Sequence, residues 1–412
     1  MGGHSGSSLD RRPAADLAFR DVTATAVPPP LLADDLLDTL ARRAADHDRS
    51  GEFVTQDVAD LAARGYLRAP VPVELGGAGL RLDELARLHR ALATRAPATA
   101  LAMGMHLFWV GAAADRFRAG DDSLAWVLHD AAAGEVFAAG HSEPGNDLGL
   151  ADSVTRAEPD ADGGYTFHGR KVFSSLSPVW TRLGVHGRDD TDLEAPAVVH
   201  AVITRDAPGY RIEPTWDALG MRATRSDSTV LDGVRAEPGR VLARVAPGPP
   251  SHPYLVAVPA WATLLTATVY AGIARRALDL AVAAAQERVS TRRGGSTRAH
   301  DPYVSWTVAD AVIELDGIEA HLDAATREWS HDRPGGLAWT TRLFSAKVHA
   351  VEGAKRVVDL ALQVTGGRSM QRGQELERLY RDVRAGGFHN PTVEVAHEAL
   401  GAGTLLAARP ER

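Results

Sequence analysis

Hydrophobic spacing changes twice along this chain, and few folds accommodate both changes. From Leu31 to about residue 133, apolar residues recur at helical spacing. LLADDLLDTLARRAADHD puts Leu32, Leu36, Leu37 and Leu40 on one face. Gln56 to Gly65 repeats the pattern with Val58, Leu61 and Ala62 inward, and helices are predicted from Leu82 to about Thr94 and from Thr99 to about Ala114. Near Glu135 the spacing becomes strand-like. Tyr165-Thr166-Phe167-His168-Gly169 alternates, and Val172-Phe173-Ser174-Ser175, Ala197 to Thr204 and Thr229-Val230-Leu231 read as further short strands. Turns at Asp162-Gly163, Pro208-Gly209 and Asp232-Gly233 separate them. This predicts a small antiparallel barrel or sandwich. After a linker at Pro247 to Pro253 the helical period returns, with long helices expected at 254–290, 303–329, 339–365 and 374–385 and one more after Pro391. Pro259 falls in the first turns of the opening helix or marks its start. The expected fold class is therefore α+β multidomain. A flexible arm (1–30) precedes an N-terminal helical domain (31–135), a middle β domain (136–246) and a C-terminal four-helix bundle (254–407).

With 412 residues the chain can bury several cores. Its 24% charged residues and net charge of −8, with both signs dispersed, form no basic patch, so no nucleic-acid partner is expected. The absence of cysteine excludes disulfides, zinc-thiolate sites and thiol nucleophiles, and no other metal site is predicted. The first residues lack an apolar secretory core, which fits a cytoplasmic protein. Tyr254 to Ala274 carries no charge and is long enough to cross a bilayer. It runs directly into Arg275-Arg276 and contains Pro259, Thr263, Thr266 and Thr268, so it reads as a helix buried in a bundle, with no membrane partner.

Several short motifs fit one family. Gln363-x-x-Gly366-Gly367 precedes Glu377-Arg378-x-Tyr380-Arg381-Asp382, and Pro72-x-x-x-Gly76-Gly77-x-Gly79 lies in the helical N-terminal part. Ser142-Glu143-Pro144-Gly145 and Gly169-Arg170-Lys171-Val172-Phe173-Ser174-Ser175 lie in the β part. Together they resemble the acyl-CoA dehydrogenase superfamily over nearly the whole chain after residue 30.

That resemblance implies an FAD-dependent oxidoreductase, with FMN the less expected flavin. The Ser142–Gly145 segment would lie along the flavin, although it is two residues shorter before Asp147 than the family's usual form. Phe173 and a hydroxyl of Ser174 or Ser175 would line the ring near its N5. Gln363, Gly366 and Gly367 would hold the ADP part, commonly across a subunit interface, so a homodimer or homotetramer is implied. Arg288, or else Arg292 or Arg293, would take the diphosphate. Leu219-Gly220-Met221-Arg222 resembles a segment that packs the barrel near the substrate mouth, with Arg222 and Arg225 as polar contacts.

The family's catalytic glutamate has two known locations. By residue count they fall on Asn390 and near Ala262, and no carboxylate lies between Arg244 and Arg275. An amide cannot take a proton at neutral pH. Phe388-His389-Asn390-Pro391 resembles the loop of dibenzothiophene monooxygenase-type enzymes, the group D flavin monooxygenases. In that branch a loop histidine, here His389, supports a flavin C4a-hydroperoxide. A strand serine, here Ser175, and a histidine on an N-terminal helix, here His106, complete the group. The expectation is an oxygen-activating enzyme on a small molecule, fed by a flavin reductase or other electron-transfer partner. The alternatives are an acyl-CoA or acyl-carrier-protein dehydrogenase with a relocated base such as Glu394, acting on an acyl thioester, and a non-catalytic flavin-binding subunit.

Overall fold

A computed structural model describes residues 31–248 and 252–405. The arm expected over 1–30, part of the 247–253 linker and the last residues of the expected bundle lie outside that range. Helices α1 (Asp34–Ser50), α2 (Thr55–Ala63), α3 (Leu82–Arg95), α4 (Pro97–Arg118) and α5 (Ala125–Ala132) come first. Strands β1 (Phe137–Gly140), β2 (Arg156–Pro159), β3 (Tyr165–Ser174), β4 (Arg182–Asp189), β5 (Ala197–Thr204), β6 (Tyr210–Glu213), β7 (Asp227–Ala236) and β8 (Val241–Val245) follow. Then come α6 (Pro253–Glu287), the two-residue strands β9 (Val289–Ser290) and β10 (Ser296–Thr297), α7 (Pro302–Asp332), α8 (Gly336–Thr365), α9 (Glu375–Val383) and α10 (Val393–Leu405).

Helix α1 forms because Leu36, Leu37 and Leu40 make one buried stripe, and Gly51 closes it in the left-handed conformation with its N–H on the His47 carbonyl. Helix α6 begins at Pro253, where a missing N–H costs nothing, so Pro259 sits inside it rather than at its start. The uncharged run is a core helix: 83% of the most apolar window of α6 is buried, and α4 passes the same length and hydropathy test with 89% buried.

The β part differs from the antiparallel expectation. Its strands form one mixed sheet in the order β6-β7-β3-β2-β4-β5-β8, with β1 pairing β4. Pairs β1–β4 and β2–β4 are parallel, and β2 meets β4 only through Arg156 opposite Arg188. The sheet is thus an antiparallel half, β6-β7-β3-β2, joined by a narrow seam to β4-β5-β8, which is antiparallel apart from β1 alongside β4. Trp109 of α4 packs against Gly184 of β4 on one face, and Phe167 of β3 lies against Gly187 on the other.

The two helical parts lock together at Asp115 of α4. Its Oδ2 accepts the indole N–H of Trp261 on α6 at 2.7 Å and of Trp329 on α7 at 2.9 Å. Gly111 makes room: a Cβ there would sit 2.3 Å from the Trp261 ring. Helices α6, α7 and α8 pack side by side, and α9 and α10 lie against α8.

Candidate active site

Helix α9 joins the sheet to both helical parts. Arg381 grips Asp48 of α1 through two N–H groups at 2.6 and 2.9 Å, and also donates to Glu377 and to the Leu219 carbonyl. Asp382 is buried and accepts the Met221 N–H at 2.6 Å. Burial pushes its pKa up to about 6, with Arg378 opposing the rise. The Tyr-Arg-Asp motif therefore acts as a joint between α1, α9 and the 219–222 loop. Arg222, expected near a substrate mouth, donates instead to the carbonyls of Asp48 and Ala218, and Arg225 pairs with Asp227.

From Met221 a hydroxyl chain runs to the end of β3. Thr224 donates to the Met221 carbonyl at 2.9 Å, Thr224 and Ser226 meet at 2.8 Å, and Ser226 and Ser175 at 2.7 Å. One proton per hydroxyl orders the chain: Ser226 donates to Thr224 and Ser175 to Ser226. Ser175 is left with lone pairs for a donor. Just before it the ladder breaks: Lys171 faces Thr229 but Ser174 faces Asp227, so two residues oppose one. Phe173 takes φ +57°, stands 65% exposed and meets Trp216 edge-on. A bulky residue in that region is strained, and such strain concentrates at functional positions. The Ser174 hydroxyl is buried and has no partner among the described residues.

Glu143, expected along the flavin, turns its carboxylate into the protein interior. Its carboxylate is buried and accepts five donors: Lys171 Nζ (2.6 Å), Ser153 Oγ (2.7 Å), the N–H groups of Thr155 and Val154 (both 3.0 Å), and Asn146 Nδ2 (2.6 Å). Burial alone would raise its pKa; Lys171 and these hydrogen bonds outweigh that and hold it at about 2. Lys171 also reaches His186 Nδ1 at 3.2 Å, and His186 Nε2 donates to the Gly149 and Asp152 carbonyls. This knot, with buried His200 and the neighbouring His141 stacked beside it, shapes the loop that starts at Ser142. The Ser142 carbonyl accepts the Val172 N–H at 2.9 Å, and Pro144 and Gly145 are exposed at the turn.

The loop after α9 carries His389 and Asn390. His389 is half-buried, and its Nε2 lies 2.7 Å from the Tyr270 hydroxyl of α6. Burial, reinforced by the charge of Lys347, pushes its pKa down to about 4, so the ring is neutral at pH 7. Lys347 of α8 is wholly buried and donates to the carbonyls of His389 (3.2 Å) and Pro391 (2.8 Å). Asn390 is exposed, with its amide beside Gly149 of the Ser142 loop. The loop thus meets the β part.

His106 does not join this group. It is fully buried; its Nδ1 accepts the Phe137 N–H at 3.0 Å, so its Nε2 carries the proton and donates to the Leu67 carbonyl at 2.7 Å. Both nitrogens serve backbone, and neither is available to a ligand. Glu394 and Glu398 are exposed on α10.

A second cluster forms where α8 ends. Arg288 donates to the Thr365 carbonyl at 3.3 Å, and Arg298 to the Val364 carbonyl at 2.9 Å. The β9–β10 hairpin brings both guanidinium groups beside Gly366, and Gln363 meets Tyr303 at 3.4 Å. Gly366 (φ +76°) and exposed Gly367 leave bare backbone there. Arg292 is exposed and off this cluster.

These residues fit a flavin. An unsatisfied buried hydroxyl and an acceptor serine sit at the end of β3, and two guanidinium groups flank a diglycine, a donor set for phosphate oxygens. Inspection of the sequence missed Tyr270, Lys347, Arg298 and the Thr224–Ser226 relay. Lys347 left a trace: it interrupts the apolar stripe Leu343, Ala346, Ala350, Val351.

Models of the acyl-CoA dehydrogenase N-terminal and C-terminal domains match residues 33–118 and 264–394. The L-evernosamine nitrososynthase of Micromonospora sp. is 32% identical over 93% of this chain and 90% of its own. Dibenzothiophene monooxygenase of Rhodococcus erythropolis is 29% identical over 88% and 90%. The structure of KijD3 in complex with FMN and dTDP-3-amino-2,3,6-trideoxy-4-keto-3-methyl-D-glucose superposes with a TM-score of 0.81 at 29% identity, covering 95% of this chain and 97% of that one. The chain therefore belongs to the acyl-CoA dehydrogenase superfamily of flavin-dependent oxidoreductases and is similar to members of its flavin monooxygenase branch.

Proposed function

We propose that this chain is a flavin monooxygenase that oxidises the amino nitrogen of a nucleotide-linked amino sugar. The observation that carries the reading is the loop after α9: it offers an anchored imidazole and an amide, His389 and Asn390, where a dehydrogenase needs a carboxylate base. The nitrososynthase and the KijD3 complex supply the substrate class. Sulfur oxidation, the chemistry of the dibenzothiophene enzyme, is the second outcome to test.

FMN is the cofactor we assign, as in the KijD3 complex. Ser174, Ser175 and Phe173 would border its ring, and Arg288 and Arg298 beside Gly366-Gly367, in the same or a second copy of the chain, would hold its phosphate. Reduced flavin supplies the electron pair that activates dioxygen. In balance, an amine, dioxygen, two electrons and two protons give a hydroxylamine and water. One oxygen atom enters the nitrogen–hydrogen bond, and the other leaves as water and must be protonated. A neutral His389 would donate a hydrogen bond to that oxygen while solvent supplies the protons, and Ser175 would accept a hydrogen bond. Asn390 donates or accepts a hydrogen bond but abstracts no proton.

The test supplies chemically reduced FMN and oxygen with a thymidine-diphosphate amino sugar, with dibenzothiophene and with acyl-CoAs. The expected result is an amino-sugar product heavier by one oxygen. Bleaching of the oxidised-flavin protein by an acyl-CoA without oxygen, with no oxygenated product in the first assay, overturns the reading.

A further inference from the structure

We propose that Tyr270 and Lys347 are positioning residues that fix the tautomer and the placement of the His389 imidazole, so that its Nδ1–H offers a hydrogen bond to the reacting oxygen. This rests on the reading of His389 as the oxygen-side donor.

The tautomer follows from counting protons. The Tyr270 hydroxyl belongs to a fully buried residue, and His389 Nε2, at 2.7 Å, is its partner among the described residues. A phenol has one proton, and a buried O–H with a single partner spends it there. Were Nε2 the donor, the phenol proton would be left without an acceptor among the described residues. Nε2 therefore accepts. A neutral imidazole has one proton, and it lies on Nδ1. Among the described residues no other group bonds the His389 ring, so Nδ1 keeps its proton for a ligand.

The backbone of the same loop is held independently. Lys347 Nζ donates to the His389 and Pro391 carbonyls, on either side of Asn390. No carboxylate bonds it among the described residues, although it is wholly buried. A methionine would fill that space without desolvating a charge, so the ammonium is explained by the carbonyls it holds. Gly386 eases the clamp: a Cβ there would lie 3.0 Å from the Val351 Cβ and 3.1 Å from the Tyr270 ring, so a larger residue would have to displace one of them by a few tenths of an ångström. The side chain is held from α6 and the main chain from α8.

The experiment reads the tautomer directly, without flavin or turnover. Long-range proton–nitrogen correlation spectra of nitrogen-15-histidine protein distinguish Nδ1–H from Nε2–H imidazole. Comparison with His389→Gln picks out the His389 signals among the 16 histidines. The expected result is Nδ1–H in the wild type and a shift to Nε2–H or a mixture in Tyr270→Phe. Lys347→Met should keep Nδ1–H but broaden the signals. In turnover with reduced FMN, both variants should lose roughly tenfold more reductant to hydrogen peroxide at unchanged flavin affinity. An Nε2–H wild type, or a Tyr270→Phe spectrum identical to it, overturns the proposal. Expected tautomers with an unchanged peroxide leak in both variants overturn the link to oxygen. If His389→Gln also leaves the leak unchanged, the failure lies in the monooxygenase reading itself.

Discussion

Two buried polar groups flank the seam between sheet and bundle, and they are finished differently. Around Glu143 the carboxylate meets five donors and has no exposed side-chain surface, and His186 uses both ring nitrogens on protein groups. Around His389 the ring meets a single partner and stays partly open. A saturated polar group has nothing left to give a substrate; it sets shape. A group with one nitrogen anchored and the other spare is prepared for a ligand. The same test separates His106, with both nitrogens spent on backbone, from His389, although the two look alike in the sequence.

The largest effect should come from breaking the saturated side. Glu143→Ala strands the Lys171 ammonium in the interior and should cost on the order of 3–5 kcal/mol in chemical denaturation. His389→Gln should instead leave the denaturation midpoint nearly unchanged while lowering product yield roughly a hundredfold. Reversal of these two outcomes would show that the saturated and open groups have been assigned the wrong roles.

Acid sharpens the same contrast. Burial lowers the pKa of His89 to about 3, His106 to about 4 and His200 to about 3. In the unfolded chain each takes up a proton near pH 6.5, whereas the folded protein does not until far lower pH. The stability they contribute is full above pH 6.5 and is lost as pH falls towards 4 and then 3. At pH 5 the loss is roughly 2 kcal/mol per histidine. Stability measured from pH 7 to 5 should therefore fall steeply, and His106→Gln should flatten that slope. Glu143 adds little in this window, because the unfolded glutamate is also largely ionised above about pH 4.5; its contribution is lost only as pH falls from there towards 2.

The smallest effect belongs to the second cluster. Arg298→Ala should weaken FMN binding about tenfold, roughly 1.4 kcal/mol, in a fluorescence titration, with stability unchanged. An unchanged affinity would remove the phosphate role of that corner.

Most helices lie where hydrophobic spacing put them, because that signal is local: 303–329 was expected and Pro302–Asp332 is found. The parallel pairing of β1 and β4 was not legible, since ladder partners distant in sequence leave no periodic trace. Short motifs pointed to Phe173, Ser175, His389 and the diglycine as candidates. The saturated surroundings of Glu143 were not legible, because its neighbours in the motif say nothing about Lys171, twenty-eight residues away. Tyr270 was hidden in an apolar run where a phenol reads as core. Arg298 reaches Gly366 through a hairpin that only the folded chain makes.

The central proposal is that this chain, with an amide at the position where residue count puts the family's base, transfers oxygen rather than removing an alpha proton. A single turnover of the reduced flavin protein with isotopically labelled dioxygen and a nucleotide-linked amino sugar tests it most directly. The account predicts one labelled oxygen atom on the sugar nitrogen and the other in water. Recovery of all the label as hydrogen peroxide, with the amine unchanged, would contradict it.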